Sequence, residues 1–94
     1  MDYKDKHEQE IYAVVSKTLK GIVPNADIAP EKRFIEDIGL DSINRFDAVM
    51  SLEEKLGITF PDDDELTKLT VVGDMVKLAY QVKYPEEYKA RYRQ

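Results

Sequence analysis

Residues 39–57 read GLDSINRFDAVMSLEEKLG. A helix with both ends marked lies between the two glycines. Asp41 is a short side-chain acceptor of the kind that caps a helix start, which predicts a helix from Ser42 to Leu56. Gly57 then stands where a helix ends in a left-handed residue. At about 100° per residue, Ala48, Val49, Leu52 and Leu56 fall in one broad arc. Ile43, Phe46 and Met50 recur at i, i+3 and i+7 on the opposite side. A simple amphipathic helix needs only one apolar face. The second stripe, flanked by Asp47 and Glu54, has two readings: burial on both sides within a bundle, or a recognition face with acids at its edge. Exposure of Phe46 separates them.

Upstream, Ile11, Val14, Val15, Thr18, Leu19 and Ile22 form one stripe and predict a first helix from about Lys6 to Val23. Gly21 weakens its last turn, and Pro24-Asn25 ends it. Residues 25–40 form a long connection containing Pro30, which Phe34, Ile35, Ile38 and Leu40 are expected to anchor to the core. A loop this long in a small domain is packed down or functional. Downstream, Ile58-Thr59-Phe60-Pro61 is a short apolar link, and Asp62-Asp63-Asp64-Glu65 is expected to open a short third helix. Thr70 is the expected cap of a last helix with Val72, Met75, Val76 and Ala79 inward. Pro85 either interrupts that helix or starts a further turn. Tyr80, Tyr84, Tyr88 and Tyr92 recur every four residues and make a stripe if the tail is helical. With no strand alternation and no repeat, the pattern predicts an all-α four-helix bundle: three longer helices, one short, a long first loop and an extended C-terminal tail. Residues 1–83 are expected to form the bundle and 84–94 a basic, Tyr-rich extension.

Composition narrows the function classes. The chain has 94 residues and is 43% hydrophobic, enough for one domain with a real core. It has no cysteine, so it holds no disulfide, thiolate nucleophile or Cys-based zinc site. His7 is its one histidine, and no clustered His or paired carboxylates supply catalysis. The expectation is a binding or interaction protein, not an enzyme, with no legible metal site. An EF-hand starting at Asp62 fails, because Thr67 and Gly73 occupy the sixth and twelfth positions, where Gly and Glu are needed. The charged start and short apolar runs give no signal peptide or membrane span, so a cytoplasmic monomer is expected. Residues 31–66 hold eleven acids and four bases, a net −7, whereas residues 67–94 hold three acids and six bases, a net +3. The acidic middle repels nucleic acid and suits a basic protein surface.

The stretch FIEDIGLDSINRFDAVMSLEEKLGITFPDDD, residues 34–64, resembles acyl carrier proteins. Gly39-Leu40-Asp41-Ser42-Ile43 is similar to that family's attachment motif, with Ile43 where Leu is usual. Glu36-Asp37 and Leu52-Glu53-Glu54 match as well, and the likeness covers about residues 8–83. The resemblance implies a 4'-phosphopantetheine arm on Ser42, installed from coenzyme A by a phosphopantetheinyl transferase, with Asp41 and Ile43 beside it. It also implies acyl groups carried as thioesters and presented to fatty-acid, lipid or polyketide-type enzymes with basic docking patches. The partner-facing positions implied are Asp41, Ile43, Phe46, Asp47, Met50, Glu53 and Glu54. Those lining the interior are Phe34, Ala48, Val49, Leu52, Phe60, Leu69, Val72 and Val76. Arg45 departs from the family, which commonly has an acid there, and is expected to alter partner choice. Phe46 is bulkier than usual, and the tail is longer and more basic. These departures suggest a specialised carrier. An aminoacyl carrier, or a cofactor-free acidic interaction module, is the alternative.

Overall fold

The computed structural model describes residues 5–61, 66 and 68–92. Among them are four α-helices: α1 (Lys6–Ile22), α2 (Ser42–Leu56), α3 (Val72–Lys83) and α4 (Pro85–Tyr92). A π-helical turn, Phe34–Ile38, lies within the first loop. The expected short third helix falls on Asp62–Glu65, outside the described residues.

Each helix start has its own cap. Asp5 opens α1, its Oδ2 accepting from the amides of His7 and Glu8 at 3.1 Å each. Asp41 opens α2, and its Oδ1 accepts from the Asn44 amide at 2.8 Å. At α3 the expected cap, Thr70, is displaced by one residue: Val71 is the N-cap. The acceptor is the side chain of Asp74, whose Oδ2 takes the amides of Thr70 at 3.0 Å and Val71 at 3.2 Å. A carboxylate reaching back from the first turn outcompetes the weaker threonine hydroxyl, which instead donates to the Lys68 carbonyl. Pro85 opens α4 as its first residue, where the missing amide costs nothing. Gly57 ends α2 at φ 67°, a conformation that disfavours any Cβ.

The core draws one face from each of the first three helices. Ile11, Val15 and Leu19 of α1 meet Ala48, Val49, Leu52 and Leu56 of α2 and Val72, Met75, Val76, Ala79 and Tyr80 of α3. The interior residues implied by the family resemblance are all buried. Phe34, Ile38 and Leu40 anchor the first loop as expected, but Ile35 does not: it is 64% exposed. Phe34 and Ile38 take the inner side of the π-helical turn, and Ile35 is left on its outer side.

The loop is stitched to α3 through backbone. The Phe34 amide donates to the Thr70 carbonyl at 3.0 Å, and the Val72 and Gly73 amides donate to the carbonyls of Lys32 and Pro30 at 2.9 and 2.8 Å. Tyr12 of α1 ties down the other limb by donating to the Ile28 carbonyl. The long connection is packed down rather than open.

The tyrosine-rich tail is helical and folds back on the bundle. Tyr84, Tyr88 and Tyr92 pack against the core around the fully buried Tyr80, whose ring centroid lies 6.0–6.4 Å from theirs. At the far end Arg91 Nη2 sits 3.0 Å from Glu8 Oε1, and the Tyr92 hydroxyl donates to Glu8 Oε2 at 2.6 Å. Glu8 is only 2% exposed, so these two donors offset the cost of burying its charge.

Candidate functional site

The site grows from the start of α2. Gly39 closes the π-helical turn at φ 80°, and its amide donates to the Ile35 carbonyl at 3.2 Å while Leu40 donates to Phe34 at 2.8 Å. Leu40, 1% exposed, pins the chain at that point. Asp37 secures the turn's outer edge: its Oδ2 accepts from the Arg33 amide at 2.8 Å and from Arg33 Nε at 3.2 Å. Those bonds, the side-chain one foremost, hold the Asp37 carboxyl below the usual carboxylate range.

Directly after this anchor come Asp41, Ser42 and Ile43, all exposed. Because Asp41 takes over the capping bond, the Ser42 hydroxyl is spared that structural task. Helix geometry leaves the first-turn amides without intrahelical acceptors, so Ser42 and Ile43 present N–H groups at the positive end of the dipole. A phosphoester on Ser42 fits there: the oxygen is reachable, and the backbone favours negative charge beside it. Asp41→Ala is expected to cost about 1 kcal/mol of stability, read as a lower urea midpoint with an unchanged m-value.

Along α2 the second stripe faces solvent. Ile43 is 74% exposed, Phe46 57% and Met50 54%, which excludes burial on both faces. Asp47 and Glu54 are exposed on the same side, at helical spacing from them. Two other sequence-derived positions have work inside the molecule. Glu53 is half-buried, and its Oε2 accepts from the Phe60 amide at 2.8 Å, fixing the link after α2. Arg45, also half-buried, extends Nη1 toward the Leu69 carbonyl at 3.5 Å. Ile35 was expected in the core, and joins Ile43, Phe46 and Met50 as an exposed large apolar side chain.

A protein-family profile described as a phosphopantetheine attachment site matches residues 9–79, most of the chain. The chain belongs to the acyl carrier protein family. It is 39% identical over 69 residues to an acyl carrier protein of Helicobacter pylori (strain G27), covering 73% of this chain and 85% of that one. It is 37% identical over 83 residues to a meromycolate extension acyl carrier protein of Mycolicibacterium aurum, covering 85% of this chain and 81% of that one. An acyl carrier protein of Acidothermus cellulolyticus is 43% identical over 54 residues, 57% of this chain and 63% of its own length. The carrier therefore bears covalently bound 4'-phosphopantetheine and is not an enzyme. When bound, that group supplies the terminal thiol that a cysteine-free chain lacks. Among the described residues, no helix is long and apolar enough to cross a membrane.

Proposed function

We propose that Ser42 is the attachment residue, and that the carrier presents acyl thioesters to fatty-acid, lipid or polyketide-type enzymes through the exposed face of α2. The observation carrying the first half is an exposed serine at a helix start whose cap is supplied by its neighbour Asp41. The test is tandem mass spectrometry of the chain after incubation with coenzyme A and a broad-specificity phosphopantetheinyl transferase. The added phosphopantetheinyl mass must map to the peptide containing Ser42. Mapping to Ser16 or Ser51 overturns the assignment.

The docking half rests on charge and exposure. Asp41, Asp47 and Glu54 surround Ile43, Phe46 and Met50, a pattern that fits an enzyme surface with a basic rim and an apolar centre. Phe46→Ala is expected to raise the transferase KM about tenfold, as loss of a central aromatic anchor does, while leaving the melting temperature unchanged. Raising ionic strength must weaken the native interaction. A native KM that is indifferent both to salt and to Phe46 rules this face out.

The chain works as a monomer on this reading, because its apolar core closes within one copy. The family fold ends near residue 83 and α4 is an addition to it, which accords with a family match that stops at residue 79. Arg45 and this added helix favour a specialised carrier over the housekeeping one. Restoration of growth when the chain replaces a housekeeping carrier sinks that reading. Loading assays with acyl and aminoacyl ligases decide the cargo class.

A further inference from the structure

The fold brings Glu87 to His7, 80 positions earlier in the chain, and to Asp5 beside it. A ring nitrogen of His7 and one carboxylate oxygen each of Asp5 and Glu87 lie within 4.8 Å of one another. All three residues are half-buried, where α4 returns to the start of α1. We infer that Asp5, His7 and Glu87 form a divalent-metal site of the zinc class that staples the C-terminal helix to the first. Each of these residues, and their supports Tyr80 and Tyr84, lies outside the stretch that matches the family.

Three features favour a metal over an ordinary ion pair. The first is charge. Among the described residues, Asp5, Glu8 and Glu87 gather three carboxylates at this end of the bundle, and Arg91 pairs with two of them. Arg91 Nη2 is committed to Glu8 at 3.0 Å, and its Nη1 stands 3.8 Å from Asp5. One divalent cation bridging Asp5 and Glu87 offsets the cost of holding these carboxylates together. The second is ligand type. One imidazole and two carboxylates suit zinc, which takes nitrogen and oxygen at about 2.0–2.2 Å, and not calcium, which wants six to eight oxygens. Water completes the shell on the exposed side.

The third is orientation. The His7 ring lies flat on Tyr84, with centroids 4.1 Å apart and planes 8° from parallel. The Tyr80 hydroxyl donates to Glu87 Oε1 at 3.2 Å, and the Asp5 carboxylate is held by the amides of His7 and Glu8. Ligands steered by a second layer of contacts are the arrangement metal sites rely on. His7 Nδ1 and Glu87 Oε1 are 2.8 Å apart in a hydrogen bond, so an ion entering between them displaces the shared proton and spreads the two atoms slightly.

The test is titration of the full chain with ZnCl2 by calorimetry in a non-chelating buffer, with cobalt substitution to read the coordination spectrum. One ion per chain is expected, binding at least tenfold more weakly in each of His7→Gln, Glu87→Gln and Asp5→Asn. Asp5→Asn retains a capping oxygen, and circular dichroism in the presence of chelator verifies that every variant is folded. Zinc must also raise the melting temperature of the native chain more than that of the variants. Absence of binding at 100 µM zinc as a rough upper limit for a three-ligand site overturns the inference. So does zinc binding that all three variants keep, since the ion then sits elsewhere on the acidic chain. A His7–Glu87 contact that responds to protons and not to zinc is the ordinary ion pair, and it overturns the inference too.

Discussion

Ser42→Ala is expected to give a fully folded carrier that gains no mass at all from coenzyme A and transferase. The serine oxygen is the atom that would form the phosphoester, and alanine offers no replacement. The fold does not need that oxygen. Ser42 is exposed, the α2 cap is the Asp41 carboxylate on the Asn44 amide at 2.8 Å, and alanine is the better helix former. The variant is expected to melt within about 2 °C of the native chain, a shift worth a few tenths of a kcal/mol in a domain of this size. Intact-mass spectrometry reads the loading, and circular dichroism the fold. The pairing is diagnostic against Asp41→Ala, which weakens the fold while leaving the hydroxyl in place. Residual loading of Ser42→Ala at the native rate transfers the role to Ser16 or Ser51 and removes the site assignment.

Tyr80→Ala is expected to be the most destabilising single change outside α2. Tyr80 is the largest fully buried side chain, and the rings of Tyr84, Tyr88 and Tyr92 gather round it. Deleting a buried aromatic ring costs about 3–5 kcal/mol, a sizeable share of a total stability of roughly 5–15 kcal/mol. The melting temperature must fall by about 12 °C or more. The loss has a second part, since α4 leans on this ring and supplies Arg91 and Tyr92 to the buried carboxylate of Glu8. Tyr80→Phe keeps the ring and loses only the bond to Glu87, so about 1–2 kcal/mol is expected from it. Burial foremost pushes the Tyr80 hydroxyl up to about 12 from its ordinary 10.0. A group whose pKa rises on folding stabilises fully below its unfolded value and loses that contribution as pH climbs through the folded one. The native melting temperature must therefore decline between about pH 10 and pH 12, and less steeply in Tyr80→Phe. A native-like melting curve for Tyr80→Ala refutes the claim that Tyr80 is a core residue that anchors α4.

How far sequence reached depended on how local the signal was. Both ends of α2 were legible because each is set by one residue, Asp41 and Gly57. The buried arc of α2 was equally plain from its spacing. Thr70 misled because its competitor, the Asp74 carboxylate, sits four residues further on and bonds backward to two amides. Ile35 misled because an apolar residue in an apolar loop carries no mark of which way it points until the π-helical turn forms. The family likeness could be read straight off residues 34–64, but the internal work of Glu53 and Arg45 could not. Their donor and acceptor, the Phe60 amide and the Leu69 carbonyl, become neighbours only once the loops close. The Glu8 cluster was hidden more deeply, since Tyr92 lies 84 positions away. A glutamate near a chain start reads as solvated surface until a helix arrives to cover it.

The stitching of the first loop to α3 bears on where added phosphate is welcome. The opening amides of α3 are spent on the Lys32 and Pro30 carbonyls, and those of α1 on Asp5. At α4 a proline supplies no amide, and Glu86 and Glu87 already crowd the first turn with anions. Among the described residues, Asp41 caps α2 through the Asn44 amide alone, one turn in, and the amides of Ser42 and Ile43 come before it. On the proposed reading, a transferase meets one electrically inviting doorway, with the Ser42 hydroxyl standing in it. The other three entrances were shut by the folding of the chain itself.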